Sequence, residues 1–216
     1  MRKIFLDVGG HNGQTLNEIL SGKYSFDKVY CFEPMPNQIN YLNSWFTEKG
    51  KPYGLEILNY GLLDETCQKI IYGTNEDMSA SIFKDKNNVS NINHETICKF
   101  VSVSDFFKEN IKEDDLVIMK LNCEGSEVII INALLESGQL NKVSNMMIDF
   151  DIRKVNGHQH EADELLEKLK LNNYSNYSLE GDVMIGNSHV ERIANWLSTL
   201  PFYDRFLTNY FNPMML

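Results

Sequence analysis

The stretch that most limits how this chain can fold is its start, Phe5-Leu-Asp-Val-Gly-Gly-His-Asn-Gly13, with Cys31-Phe-Glu-Pro34 a helix length further on. An apolar run ends in a carboxylate, a glycine turn and a helix-length segment follow, and a second apolar run ends in another carboxylate. A βαβ unit that binds a nucleoside has this pattern. Its glycines let backbone approach a ligand at the strand-to-helix turn, and its second acid reaches the ribose hydroxyls. The turn does not suit a dinucleotide. A G-x-G-x-x-G register from Gly9 would need glycines at His11 and Gln14, and one from Gly10 would need them at Asn12 and Thr15.

What stands there is Asp7-x-Gly9-x-x-x-Gly13, with an acid just ahead of the turn. Asp7 would repel a pyrophosphate. S-adenosylmethionine (SAM) instead brings an ammonium and a sulfonium, which a carboxylate attracts. The turn therefore predicts a SAM site.

Composition narrows the setting. A chain of 216 residues with 43% hydrophobic content can build one α/β domain, spanning 1–216. No apolar run reaches the roughly 18 residues of a membrane span. A strand opening within residues 1–8 leaves no room for a leader ahead of the fold. Cys31, Cys67, Cys98 and Cys123 are widely spaced, without a CxxC or Cys/His cluster; Cys31 and Cys123, in apolar runs, read as small buried hydrophobes, and the location as reducing and cytoplasmic. A net charge of −10 argues against a nucleic acid partner, since backbone affinity comes from Lys and Arg neutralising phosphates.

Along the chain, strands are expected at 3–8, 28–32, 54–60, 69–72, 98–103, 115–121 and 145–150, with helices at 13–20, 36–48, 126–135 and 160–171. Pro36 suits a first helical turn. Residues 59–64 read as a turn. Glu180-Gly181 reads as a hairpin turn between strands at 174–179 and 182–185. Residues 74–95 are polar and aperiodic, as lids and binding loops are. The extension 188–216 is helical and aromatic, with Trp196, Phe202, Tyr203, Phe206, Tyr210 and Phe211. Such a patch covers one face of its own sheet or meets a second copy in a homodimer. Strands alternating with helices imply a mostly parallel sheet with helices on both faces, and the acids fall at its carboxyl edge, where ligands bind.

These features together resemble an FkbM-type SAM-dependent methyltransferase. The likeness rests on the two opening motifs, on Asn59-Tyr-Gly-Leu-Leu-Asp64, on Met78-Ser-Ala-Ser81 and on Val117-Ile-Met-Lys-Leu-Asn-Cys-Glu-Gly-Ser-Glu127. The last block is the most specific, the family typically showing Lys-Ile-Asp-Val-Glu-Gly-x-Glu there. Asn122 stands where the family has aspartate, and Gly10-His11 where it has Ala-Asn. The resemblance implies the Rossmann-like class I methyltransferase sheet, seven-stranded and mostly parallel with an antiparallel C-terminal hairpin. It also implies transfer of a methyl group to a hydroxyl of a sugar, glycan or secondary metabolite.

Candidate roles follow from what SAM offers. Asp7 would hold the methionine ammonium, directly or through water, Gly9 and Gly13 let the backbone pass the methionine moiety, and Gly10 and His11 lie at the cofactor pocket. Glu33 would accept both ribose hydroxyls. Asp64 would accept from the adenine amino group, with Leu62 or Leu63 against the ring. Ser79 and Ser81 would bind the methionine carboxylate or the acceptor, and Asn122 closes the cofactor wall. A hydroxyl acceptor must lose its proton, and Glu124, Asp149, Asp151 and His158 are the candidate bases. The alternative is a magnesium ion held by Glu124, Asp149 and Asp151. Lys120 reads as an ion-pair partner of Glu124 or Glu127. Two other classes of function remain: a SAM-binding protein without catalysis, and a methyltransferase acting on RNA or protein.

Overall fold

The structure, a computed structural model, describes residues 1–74 and 78–208. In chain order the elements are β1 (Lys3–Val8), α1 (Gln14–Ile19), β2 (Lys28–Phe32), α2 (Pro36–Lys49), β3 (Leu55–Leu58), β4 (Gly61–Leu63), β5 (Cys67–Tyr72), β6 (Glu95–Ser102) and α3 (Val103–Asn110). They continue with β7 (Leu116–Leu121), α4 (Glu127–Glu136), β8 (Asn145–Ile148), α5 (Glu161–Leu171), β9 (Tyr177–Leu179), α6 (Glu180–Val183) and α7 (His189–Ser198). A 3-10 helix, Asp151–Lys154, follows β8.

The main sheet runs β3-β2-β1-β7-β8-β9, and every pairing in it is parallel. Strand order reverses between β1 and β7, so the crevice past their carboxyl ends is where such a sheet takes its ligand. Side chains alternate between its faces. Leu6, Val8, Phe32, Met119 and Leu121 pack with α3, α4 and α5, whereas Phe5, Cys31, Ile118 and Met147 pack with α1, α2 and α7. A second sheet, β4-β6-β5, stands beside this crevice over Met35, Leu63, Ile71, Cys98 and Phe100.

The α/β class and the helix-covered parallel sheet agree with the sequence reading; three details do not. The sheet has six strands among the described residues, because β4, β5 and β6 form their own sheet and β4 occupies part of the presumed 59–64 turn. Among the described residues the C-terminal hairpin is absent. β9 pairs parallel to β8 after the α5 crossover, and Glu180-Gly181 lies in the helical turn α6, whose two acids suit a helix N-terminus. Val183 and Met184 pack into the apolar face instead of pairing as a strand. Finally, α3 was not anticipated; Ser102 caps it by accepting from Asp105 N at 3.3 Å, and Phe106 and Phe107 bury its inner face.

The aromatic extension closes over its own sheet. Trp196 lies 6.2 Å from the Phe5 ring, and Phe206 5.0 Å from Phe26. Trp196 and Phe206 are buried without a second subunit. Tyr210 and Phe211 lie outside the described residues, as do residues 75–77 of the polar loop. No helix among the described residues is long and apolar enough to cross a membrane.

Candidate functional site

Where strand order reverses, the β1–α1 turn opens into a cavity. It is walled by Gly9, Gly10, Thr15, Glu33, Met35, Leu62, Ile71, Ser81, Phe100, Lys120, Asn122, Glu124 and His189, among others. Gly9 has φ +87°, and a Cβ there would run into the carbonyl oxygen of Asn122. Glycine is thus required both by the dihedral and by the approach of the β7–α4 turn. Glu33 is buried at the end of β2. One carboxylate oxygen accepts from His11 N and the other from Met35 N, both at 2.8 Å. Each oxygen keeps a second lone pair, an arrangement that two neighbouring hydroxyls would satisfy. Burial, only partly offset by those two N–H donors, pushes the Glu33 carboxyl up to about 7.

The floor is set by register. Asp7 and Lys120 lie opposite each other on β1 and β7. Lys120 Nζ is 3.1 Å from Asp7 Oδ1 and donates to Gly9 O at 2.8 Å. Its hydrogen bond is aimed at the carbonyl, so charge more than an aligned hydrogen bond holds the pair. Asp7 is fully buried, and burial raises its pKa against the pull of Lys120.

The β7–α4 turn forms the next wall. Glu127, completely buried, accepts from Cys123 N at 3.1 Å and Gly125 N at 3.0 Å, pinning the turn from inside. Glu124 sits in it with φ +60°. Its carboxylate pairs with Lys86, whose ammonium also lies 3.6 Å from Asp151. Burial and the neighbouring Asp151 push the Glu124 carboxyl well up. In Asp151 burial acts upward too, but Glu124 and Lys154 outweigh it and hold the group low. Asn122 Nδ2 donates to Asp149 Oδ2 at 3.1 Å, and burial followed by Asp151 raises Asp149 to about 6.

A family model, the methyltransferase FkbM domain, matches residues 7–176. The chain belongs to the FkbM methyltransferase family. A solved structure, methyltransferase FkbM from Methylobacillus flagellatus KT, is similar at 15% identity with a TM-score of 0.38, over 63% of this chain and 29% of that one. The chain thus spans less than a third of that protein's length. None of the curated proteins compared matches it.

Placed in this FkbM fold, the residues expected from the sequence divide. Gly9, Gly10, His11, Glu33, Ser81, Asn122 and Glu124 line the cavity, and Gly13 starts α1 beside it, a Cβ there meeting Leu42 at 2.7 Å. Asp7 does not line it; it lies beneath the glycine turn, and Lys120 is the charged group at that wall. Lys120 therefore pairs with Asp7, not with Glu124 or Glu127 as expected. Asp64 is exposed past β4, which sends Leu62 to the cavity instead. Ser79 is buried behind the wall, donating to Asn88 O at 2.6 Å. His158 engages Glu161 and the Phe83 ring, away from the cavity. The magnesium set is not assembled: Glu124 and Asp151 meet Lys86, Asp149 takes the Asn122 amide, and no cluster of three or more His, Cys, Asp or Glu able to hold a metal occurs among the described residues.

Several wall or support residues escaped the sequence reading, among them the apolar Met35, Ile71 and Phe100 and the polar Lys86, Thr15 and His189. Lys86 carries no periodic signal in its polar loop. Thr15 looked like an ordinary helix residue. His189, at the start of α7 and beyond the residues matched to the FkbM family, lies 3.0 Å from Thr15 Oγ1. Burial, followed by Lys120 and Arg192, lowers His189 to about 4, so its imidazole is neutral at pH 7.

Proposed function

We propose that this chain is a SAM-dependent O-methyltransferase acting on a hydroxyl of a sugar, glycan or secondary metabolite. Glu33 carries the reading. It is an acid at the end of the second strand, braced by two backbone N–H groups, with one lone pair per oxygen left for a ribose diol. The other walls suit the rest of the cofactor. Leu62, Ile71 and Phe100 offer an apolar slot for adenine, and the Gly9 turn admits the methionine chain. Bound there, SAM supplies an electrophilic methyl group on a sulfonium.

The protein's part is to position the acceptor and take its proton. As the acceptor oxygen bonds to the methyl carbon and the carbon–sulfur bond breaks, the hydroxyl proton passes to a carboxylate. Asp149, behind Asn122, is raised to about 6 and Glu124, on the wall, to about 8, so the two bracket neutral pH, where a general base works best. The two lysines near the cavity are already matched, Lys86 by Glu124 and Lys120 by Asp7, which favours an uncharged acceptor.

The test is incubation with SAM carrying a labelled methyl group and a panel of sugars, glycans and phenolic metabolites, followed by mass spectrometry. The reading expects label on an acceptor oxygen. Turnover confined to RNA or protein substrates, or none on any acceptor despite bound SAM, overturns it.

A further inference from the structure

The loop between β5 and β6 does more than border the cavity. The Lys86 side chain, in the middle of a polar stretch, is fully buried and reaches acids of two other segments, Glu124 and Asp151. It also donates to Ser79 O at 3.4 Å. An ammonium taken out of water is costly unless its charge and donors are matched, so these partners fix where the side chain goes. Five positions earlier, Ser81 Oγ donates to the Glu124 carbonyl oxygen at 2.6 Å. One loop thus holds Glu124 by its main chain and by its carboxylate.

Glu124 needs such holding. Its φ of +60° lies in the left-handed region, unfavourable for a residue with a Cβ and kept only where the surroundings over-determine it. The loop's footing is on the segment after β8 and on the β7–α4 turn itself. Asn87 N donates to Lys154 O at 2.9 Å, Lys86 bridges Val155, and Phe83 lies against Gly125, where a Cβ would come within 3.1 Å of its ring. The charged groups facing the Glu124 carboxylate are Lys86 from the loop and Asp151 from the 3-10 helix, and Lys154 is already engaged by Asp151. Without Lys86, two acids would face each other with no cation between them.

We propose that Lys86, acting with Ser81, is a positioning residue for Glu124: docking of residues 78–88 sets the strained conformation that keeps the Glu124 carboxylate on the cavity wall. Its consequence for turnover rests on the reading above, in which Glu124 serves the acceptor. Lys86 itself touches no substrate.

The test is Lys86→Met in the full chain with S-adenosylhomocysteine, read by hydrogen exchange. Amides of residues 124–126 should exchange about tenfold faster or more, while residues 9–13 keep their protection and S-adenosylhomocysteine affinity stays within about twofold. With labelled SAM and the hydroxyl acceptor that the wild type methylates, kcat should fall about tenfold or more with KM for SAM unchanged. Lys86→Met added to Glu124→Gln should cost little further, since the residue it positions is already lost. Unchanged exchange at 124–126, or an equal loss of kcat in the Glu124→Gln background, overturns the proposal. If Lys86→Met does not fold, Ser81→Ala removes the main-chain hold alone and carries the same expectation at 124–126, with unchanged exchange overturning it. A wild type that methylates nothing refutes the function reading, and the exchange measurement still decides the role of Lys86.

Discussion

Lys120 on β7 reaches across the register to Asp7 on β1, Nζ 3.1 Å from Oδ1; Asp7 is sealed beneath the glycine turn, and the buried Lys120 stands between it and the cavity wall. The lysine spends its hydrogen bond on Gly9 O. The pair therefore ties the two central strands to the turn that forms the cavity wall.

Removing one charge of a buried pair strands the other. Lys120→Met should lower stability by about 3–5 kcal/mol, measured by urea unfolding at pH 8. The deficit should shrink at pH 5. Asp7 is an acid whose folded pKa is already raised by burial, and losing Lys120 raises it further. Such a group contributes stability fully below its unfolded pKa and loses it as pH rises toward the folded one. A deficit that grows as pH falls would contradict this.

Gly9 and Gly22 separate conformation from space. Their φ values are +87° and +88°, yet a Cβ at Gly9 meets Asn122 O, whereas one at Gly22 meets nothing within 4 Å. Gly22→Ala should cost only the left-handed penalty, about 1–2 kcal/mol, and keep S-adenosylhomocysteine binding. Gly9→Ala should cost about 2–5 kcal/mol and abolish that binding, because the β7–α4 turn must move. Thermal melts and calorimetry on the two variants check both parts; equal effects would remove the steric argument.

The His189 imidazole supports the wall from the chain's own extension. Its folded pKa, about 4, lies below the usual histidine value, so the folded state binds fewer protons than the unfolded one between pH 4 and 6.5. Stability from this group is full above about pH 6.5 and lost as pH falls toward 4. His189→Gln, which can still bond Thr15, should therefore show a flatter fall in melting temperature across that window. Parallel curves for variant and wild type would place the imidazole in water instead.

The division between what was legible in the sequence and what was not has a physical pattern. Gly9 and Glu33 were legible as cavity residues because a turn and a strand end are local events with local residue demands, whereas Asp7, expected to meet the ligand, is buried beneath the turn against Lys120. The partner of Lys120 was not legible, since pairing over such a sequence distance depends on strand register. Lys86 was illegible for another reason: its burial is driven by two carboxylates, not by apolar periodicity. His189 reaches the cavity only because α7 packs on α1, and α7 packs there because Ile193, Trp196 and Leu197 cover the face carrying Phe5 and Cys31. Glu180-Gly181 misled because a two-residue turn signal is shared by hairpins and by the first turn of a helix, and the packing of Met184 decides between them.

The central claim, that this cavity takes SAM through Glu33, is tested most directly by titration calorimetry of S-adenosylhomocysteine and NAD against the wild type and Glu33→Ala. The account predicts S-adenosylhomocysteine binding and no NAD binding in the wild type, with Glu33→Ala weakening the former by about 1.5–3 kcal/mol, the size of hydrogen bonds to a charged group. NAD binding to the wild type, or the same S-adenosylhomocysteine affinity in Glu33→Ala, would contradict it.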